Sequence, residues 1–254
     1  MKGSATMWNM EILREIRLSH DSQRIEFRDE KWFLPTPEDT LEWFQLLRGG
    51  WIHNGDPKRP HAKLASGKCS TGFFLCKRVL KFGNLRRILA ACIIKELKKA
   101  GLGMVDGVFG APYSSITLAA DVGDLLGVPN YIVEKGPKDA NSKDTMIFKD
   151  DDPIPEGSTL LEIEELITVA TSATSATQAI VCGNPYPVKF APFVGVLVHR
   201  PPEIIRCLPD GRQIMAFIER QVDAWDPSVC PKCKEGSVPL PPKTNWAALT
   251  GQTM

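Results

Sequence analysis

The densest chemistry in the chain sits in residues 158–177, STLLEIEELITVATSATSAT. An apolar run of Leu160, Leu161 and Ile163 ends in two adjacent acids, Glu164 and Glu165. After Leu166 and Ile167 the chain turns small and hydroxyl-rich at Thr168, Val169, Ala170, Thr171 and Ser172. This order suits a strand, a short loop and a helix start. Backbone N–H groups at a helix start point outward and bind phosphate, helped by the helix dipole. Carboxylates just ahead of such a loop can meet sugar hydroxyls or a magnesium ion, which prefers hard oxygen ligands. The residues point to a phosphorylated, sugar-containing ligand; the alternative is a buried strand with a polar exit.

Two further groups could do chemistry. Residues 134–152 are polar and carry Lys135, Lys138, Lys143 and Lys149 among the aspartates Asp139, Asp144, Asp150, Asp151 and Asp152. Polar segments of this length inside a compact domain are functional or disordered, so a long mobile loop is expected, with a short β-ribbon near residues 145–148. Cys230 and Cys233 form a lone CxxC. Structural zinc takes four ligands, no second CxxC exists, and the nearest histidine in sequence is His199. The pair is read as a surface knuckle or simple turn. The alternatives are a zinc site completed by two cysteines of a second copy, and a redox pair.

Positioning these groups requires an alternating framework of strands and helices. Residues 84–100 carry Ile88, Leu89, Cys92, Ile93 and Leu97 at helical spacing, with Gly101 as the cap. Residues 104–109 read as a buried strand, 110–115 as a turn, 116–126 as a helix, and 130–133 and 194–198 as further strands. Pro209, Asp210 and Gly211 signal a hairpin between EIIRCL and RQIMAFIE. The pattern predicts an α/β fold with a mostly parallel twisted sheet flanked by helices. Ligands bind such sheets at the carboxyl ends of the strands, which places residues 110–115, residues 168–172 and the start of the polar segment on one edge. Residues 1–55 read as an N-terminal helical appendage. In it Thr36 caps a helix presenting Leu41, Phe44 and Leu47, with Arg48 in its last turn and Gly49 and Gly50 as its stop. Residues 56–226 read as the α/β domain, and 227–254 as an extended tail that wraps a neighbouring subunit.

Composition bounds the function. The chain has 254 residues, 43% of them hydrophobic and 24% charged, ordinary for a soluble globular protein. A net charge of +1 gives no electrostatic reason to bind nucleic acid or a membrane surface. No apolar run approaches the roughly 18 to 20 residues that span a bilayer, and the first twenty residues are too mixed in charge for a signal peptide. Seven scattered cysteines read as reduced thiols of a cytoplasmic protein.

Taken in order, these segments resemble the type I phosphoribosyltransferases, most of all orotate phosphoribosyltransferase, over roughly residues 63–200. LASGKCSTGFF, beginning at Leu64, is similar to the family's L-K-S-G-x-x-S-x-Y-F-F, so Phe73 and Phe74 take the role of base-pocket aromatics; the family lysine is Ala65 here. GAPYSSITLA, from Gly110, resembles the pyrophosphate loop G-P-A-Y-K-G-I-P-L-A, with Tyr113 kept and Ser114 and Ser115 in place of lysine and glycine. EKGPKDAN, from Glu134, is similar to the mobile catalytic loop R-K-x-x-K-x-H-G; Lys135 and Lys138 fall on its lysines, and Glu134 and Ala140 replace arginine and histidine. IEELITVATS, from Ile163, is similar to V-D-D-V-I-T-x-G-x-x, with both aspartates as glutamates and Ala170 in place of glycine. Val198, His199 and Arg200 resemble L-D-R, whose arginine anchors the orotate carboxylate.

The resemblance implies transfer of a phosphoribosyl group from phosphoribosyl pyrophosphate (PRPP) to orotate, in pyrimidine nucleotide biosynthesis. Mg²⁺ would arrive with PRPP rather than on protein ligands, and the protein would be a homodimer. Glu164 and Glu165 would hold ribose hydroxyls, Thr168, Val169, Ala170, Thr171 and Ser172 the 5′-phosphate, and Tyr113, Ser114, Lys135 and Lys138 pyrophosphate. Arg200 and Phe74 would meet the base. The alternatives are a transferase for another base and a non-catalytic relative that binds PRPP or a nucleotide and regulates something else.

Overall fold

Six strands form the central sheet: β1 (Gly107–Gly110), β2 (Asn130–Lys138), β3 (Asp144–Phe148), β4 (Thr159–Ile167), β5 (Lys189–His199) and β6 (Gln213–Glu219). Their spatial order is β3-β2-β1-β4-β5-β6. All neighbours run parallel except β3, which lies antiparallel to β2 at one edge. The computed structural model describes residues 8–64, 66–138, 144–149 and 152–251. Ala65, Asp139, Ala140, Asn141, Lys143, Asp150 and Asp151 lie outside the described residues.

Successive strand residues face opposite sides of a sheet, and β4 fills both. Leu161 and Ile163 share a core with α1 (Gly83–Lys99) and α2 (Ser114–Leu126), while Leu160 packs with Ala176, Ala179 and Ile180 of α3 (Thr171–Gly183). Burial on two faces explains why TLLEIEELI reads as a nearly continuous apolar run. The strand order reverses between β1 and β4, and the crevice at their carboxyl ends is the usual ligand position in such a sheet.

The N-terminal residues add to the same core. Trp8, Leu13, Ile16, Trp43 and Phe44 cluster with Ile88, Leu89 and Ile93. Three short antiparallel strands (Arg17–Leu18, Arg24–Phe27, Glu30–Phe33) precede a helix at Pro37–Leu46. A reciprocal capping box of Thr36 and Asp39 starts that helix. It stops before Arg48, whose φ of 55° turns the chain into a strand at Gly50–Ile52 paired with Gly72–Phe74. A smaller sheet has the order Ala224–Trp225, Cys69–Ser70, His61–Lys63, Pro239–Leu240.

Four expectations change. In the polar segment the expected ribbon strand near residues 145–148 is present as β3, and residues 134–138, expected in the loop, belong to β2. β2 runs on to Lys138 and pairs with β3, because Val133 and Phe148 oppose each other and are both buried. β1 begins at Gly107, and Met104 is 98% exposed in the loop ahead of it. The tight turn before Gly211 forms, but Gln213–Glu219 joins β5 in parallel, leaving one antiparallel bridge at Cys207 in place of a hairpin; burial of Ile214 and Ile218 in the main sheet outweighs local pairing. The tail folds back on its own chain, Pro239–Leu240 pairing with His61 and Ala62, and Trp246 packing on Ala62 and Phe73.

Candidate functional site

Three connections leave the carboxyl ends of adjacent parallel strands. Residues 110–115 follow β1, residues 168–172 follow β4, and Arg200 follows β5. A Cβ at Gly110 would lie 2.6 Å from the Ile163 carbonyl oxygen, so glycine is what lets the first connection approach β4.

The two acids part company here. Glu164 is 2% exposed and turned inward. The Ala111 N–H donates to its Oε1 at 3.0 Å, and the Ser115 hydroxyl donates to its Oε2 at 3.0 Å. The Glu165 N–H in turn donates to Ser115 Oγ at 3.0 Å. Burial, reinforced by the nearby Glu162, pushes the Glu164 carboxyl well above its ordinary range, against the pull of the Ala111 and Ser115 hydrogen bonds. The expected contact of Glu164 with ribose hydroxyls is therefore corrected: its carboxyl locks the turn after β1 to β4. Glu162 is buried as well and lies 2.8 Å from Arg212 Nη1; burial outweighs that attraction and pushes its carboxyl up to about 7.

Glu165, the next residue of β4, is half-buried. Burial raises its carboxyl, while a hydrogen bond with Ser114 and the charge of Lys77 pull it down. Its Oε2 is buried without a hydrogen-bond partner, and so is Arg200 Nε. Cys76 lies between them: its thiol donates to the Glu165 carbonyl oxygen at 3.5 Å, and the charges of Glu165 and Arg200 both act on it.

Thr168, Val169, Ala170, Thr171 and Ser172 line a small cavity of about 220 Å³ at the start of α3. No side chain caps this helix, which leaves its first N–H groups without a side-chain acceptor beside the cavity. Ala170, its N-cap, takes φ 60° and ψ 8°, a left-handed conformation that favours glycine. Side-chain burial among Ile167, Ala173 and Val194 holds it there. Tyr113 is 68% exposed and carries Lys135 Nζ 5.3 Å from its ring centroid, which joins the ribbon to the turn after β1. Lys138 lies exposed near the ribbon's end, on a strand rather than on a loop.

The two aromatics also separate. Phe74 packs into the main core against Phe44, ring centroids 5.5 Å apart, and is removed from the expected base pocket. Phe73 lines a cavity of about 500 Å³ together with Lys63, Leu64, Pro241, Pro242 and Lys243. Cys230 is fully buried, which corrects the surface knuckle.

No family model matches the chain. Orotate phosphoribosyltransferase of Heliobacterium modesticaldum is 26% identical over 182 residues, covering 72% of this chain and 88% of its own length. That of Rhizobium leguminosarum bv. trifolii is 32% identical over 119 residues, covering 46% of this chain and 52% of its own length. UMP synthase of Leishmania donovani superposes with a TM-score of 0.52 at 16% identity, over 73% of this chain and 36% of that one. The chain is thus similar, at low identity, to type I phosphoribosyltransferases, its distant relatives being orotate phosphoribosyltransferases. Two of its departures from the family pattern meet each other. Glutamate at 164 is one methylene longer than aspartate, and Ser115 stands where the family has glycine; the added reach closes on the added hydroxyl. Sequence reasoning missed Ser115 in this role, and it missed Lys77 beside Glu165. The distance in sequence, 49 residues from Ser115 to Glu164 and 88 from Lys77 to Glu165, left no local signal for either.

Proposed function

We propose that the chain binds PRPP and transfers its phosphoribosyl group to a nitrogenous base, orotate first among them, with release of pyrophosphate. One observation carries the reading. Glu165 Oε2 and Arg200 Nε are buried polar atoms without hydrogen-bond partners among the described residues, toward the carboxyl ends of adjacent strands, on the same sheet edge as a helix start that no side chain caps. Leaving such an atom unsatisfied costs about 1–3 kcal/mol, a cost that a bound ligand would remove.

In this reading the first N–H groups of α3 hold the 5′-phosphate and Glu165 takes the ribose hydroxyls. Ser114, Tyr113 and Lys135 face pyrophosphate. Arg200 presents a planar fork suited to a carboxylate on the base. Glu165 Oε2, which has no partner among the described residues, would also be available to Mg²⁺ arriving with PRPP; the ion binds through one or two carboxylates plus substrate phosphates and would neutralise charge on the leaving group. The protein's own task is to position the partners and stabilise developing charge. Lys138 at the ribbon's end would serve a neighbouring subunit of a homodimer; a chain that sediments as a monomer at assay concentration would remove that role.

A second reading, a non-catalytic PRPP binder, is favoured by the inward turn of Glu164 and by serine at 114 where the family has lysine. Pyrophosphate release measured with orotate, uracil, hypoxanthine and adenine, alongside calorimetric PRPP binding, separates the two. Turnover with orotate is expected, and turnover only with another base reassigns the acceptor. Tight PRPP binding with no turnover on any base selects the binder, and no PRPP binding at all refutes the site.

A further inference from the structure

His61 and Cys69 lie on neighbouring strands of the small sheet, and Cys230 and Cys233 flank the start and third residue of a one-turn helix, Pro231–Lys234. Their sequence separation hides what the fold does with them: the four ligand atoms lie within 4.8 Å of one another. We propose that these four residues form a structural zinc site within a single chain.

Three of the six ligand–ligand distances match the ion, and all six lie within 4.8 Å. A tetrahedron with Zn–S of about 2.3 Å and Zn–N of about 2.0–2.1 Å has S···S edges of about 3.8 Å and S···N edges of about 3.6 Å. Cys69 Sγ and Cys233 Sγ are 3.7 Å apart, Cys230 Sγ and His61 Nε2 are 3.6 Å apart, and Cys233 Sγ and His61 Nε2 are 3.5 Å apart. Packing alone has no reason to converge three sulfurs and one imidazole nitrogen on these edges.

The histidine is also set up as a ligand. Ser237 Oγ donates its one proton to the Arg59 carbonyl oxygen at 2.6 Å. At 2.9 Å from His61 Nδ1 the same oxygen can then only accept. His61 therefore carries its proton on Nδ1, and the Nε2 lone pair faces the three sulfurs. A hydrogen-bonded partner behind a metal-bound imidazole is the usual device for fixing ring and tautomer. Four protein ligands leave no position for water or substrate, which makes the site structural rather than catalytic. His61, Cys69 and Cys230 are fully buried.

The ion would clamp residues 230–240 onto the strand His61–Lys63. Lys63 of that strand and the segment after residue 240, Pro241, Pro242 and Lys243, line the cavity that Phe73 also lines. Zinc would thus hold part of that cavity's lining in place, and the cavity would take the base if the proposed transfer uses it. The site itself stands on its own geometry and survives if the base pocket is elsewhere.

The test uses the full chain. Elemental analysis should find one zinc per chain. After chelation and refilling with Co²⁺, the absorption spectrum should show tetrahedral coordination with three thiolates. Ser237→Ala, which removes the orienting partner and no ligand, should weaken zinc binding by about 10- to 100-fold. Cys69→Ser should lower it further and reduce the cobalt–thiolate intensity by about a third. Limited proteolysis after chelation should cut the tail first. A chain that neither carries zinc nor takes it up, a cobalt spectrum with fewer than three thiolates, or a Cys69–Cys233 disulfide found by mass in the freshly purified protein would overturn the proposal. The cobalt spectrum of the unmutated chain decides even if Cys69→Ser does not fold.

Discussion

Replacing Glu164 with glutamine tests whether the inward acid is neutral. Burial and the proximity of Glu162 hold its carboxyl well above the usual 4.5, against the opposing pull of Ala111 and Ser115. A carboxyl that keeps its proton in the folded chain and releases it in the unfolded one contributes fully below pH 4.5. As pH rises, the unfolded chain binds fewer protons than the folded one, and stability falls by about 1.4 kcal/mol per pH unit until the folded carboxyl ionises. Glutamine is neutral throughout. Its Oε1 can accept from the Ala111 N–H, and its amide can donate to Ser115 Oγ across the same 3.0 Å contacts. Glu164→Gln should therefore lie within about 1 kcal/mol of the parent at pH 5, the net worth of one hydrogen bond. The parent should then lose about 1.4 kcal/mol per pH unit relative to the variant from pH 5 upward. Glu162, pushed up to about 7, titrates in both proteins and drops out of the difference. Urea unfolding at pH 5, 6 and 7 reads this directly. Parallel pH profiles, with the variant about 3–5 kcal/mol less stable at every pH, would mean that an ionised, partnered carboxylate had been removed, and would refute the reasoning.

Glu165→Gln should leave stability nearly unchanged and weaken PRPP about 10- to 100-fold, as expected for hydrogen bonds to a charged group; equal affinity by calorimetry would displace the ribose site. Phe74→Ala should cost about 3–5 kcal/mol in urea unfolding with little change in base affinity, since Phe74 belongs to the core. Phe73→Ala should weaken base binding instead, and the opposite pairing of effects would contradict the placement of the two rings. For Ala170→Gly, relief of about 1–2 kcal/mol of left-handed strain is offset by about 0.5–1 kcal/mol of glycine entropy and about 0.8 kcal/mol for the buried methyl. The unfolding midpoint should scarcely move, and a loss above about 2 kcal/mol would show that Ala170 is held by packing rather than strained.

The framework of the fold was legible because burial writes itself into local sequence. β4 and α1 announce themselves through apolar runs and helical spacing, and the loop at residues 168–172 through its small hydroxyl residues. What a single side chain faces was less legible. Glu164 and Glu165 are adjacent and chemically identical, and only the position of Ser115, 49 residues away, decides which one turns inward. Phe73 and Phe74 part for a simpler reason, the alternation of a strand, and the sequence alone could say that they separate but not which way. The polar ribbon misled because its charges lie on exposed positions of a strand whose partner is local, which resembles a loop in composition. The metal ligands were beyond reach: a histidine near residue 60 and a cysteine pair near 230 become neighbours only through the small sheet.

That sheet has a consequence for how the chain is made. Its first two strands are complete when Ser70 emerges, but their partners are Ala224–Trp225 on one side and Pro239–Leu240 on the other. About 170 residues separate the first pair from the last, which at roughly 5–20 residues per second of synthesis is roughly ten to thirty seconds. Throughout that interval the hairpin of His61–Lys63 and Cys69–Ser70 has two open edges, and open edges are templates for wrong pairing. A two-stranded hairpin is marginal on its own, so this corner of the protein is assembled only after the chain has been made through Leu240. The larger sheet, whose last strand ends at Glu219, is complete before it.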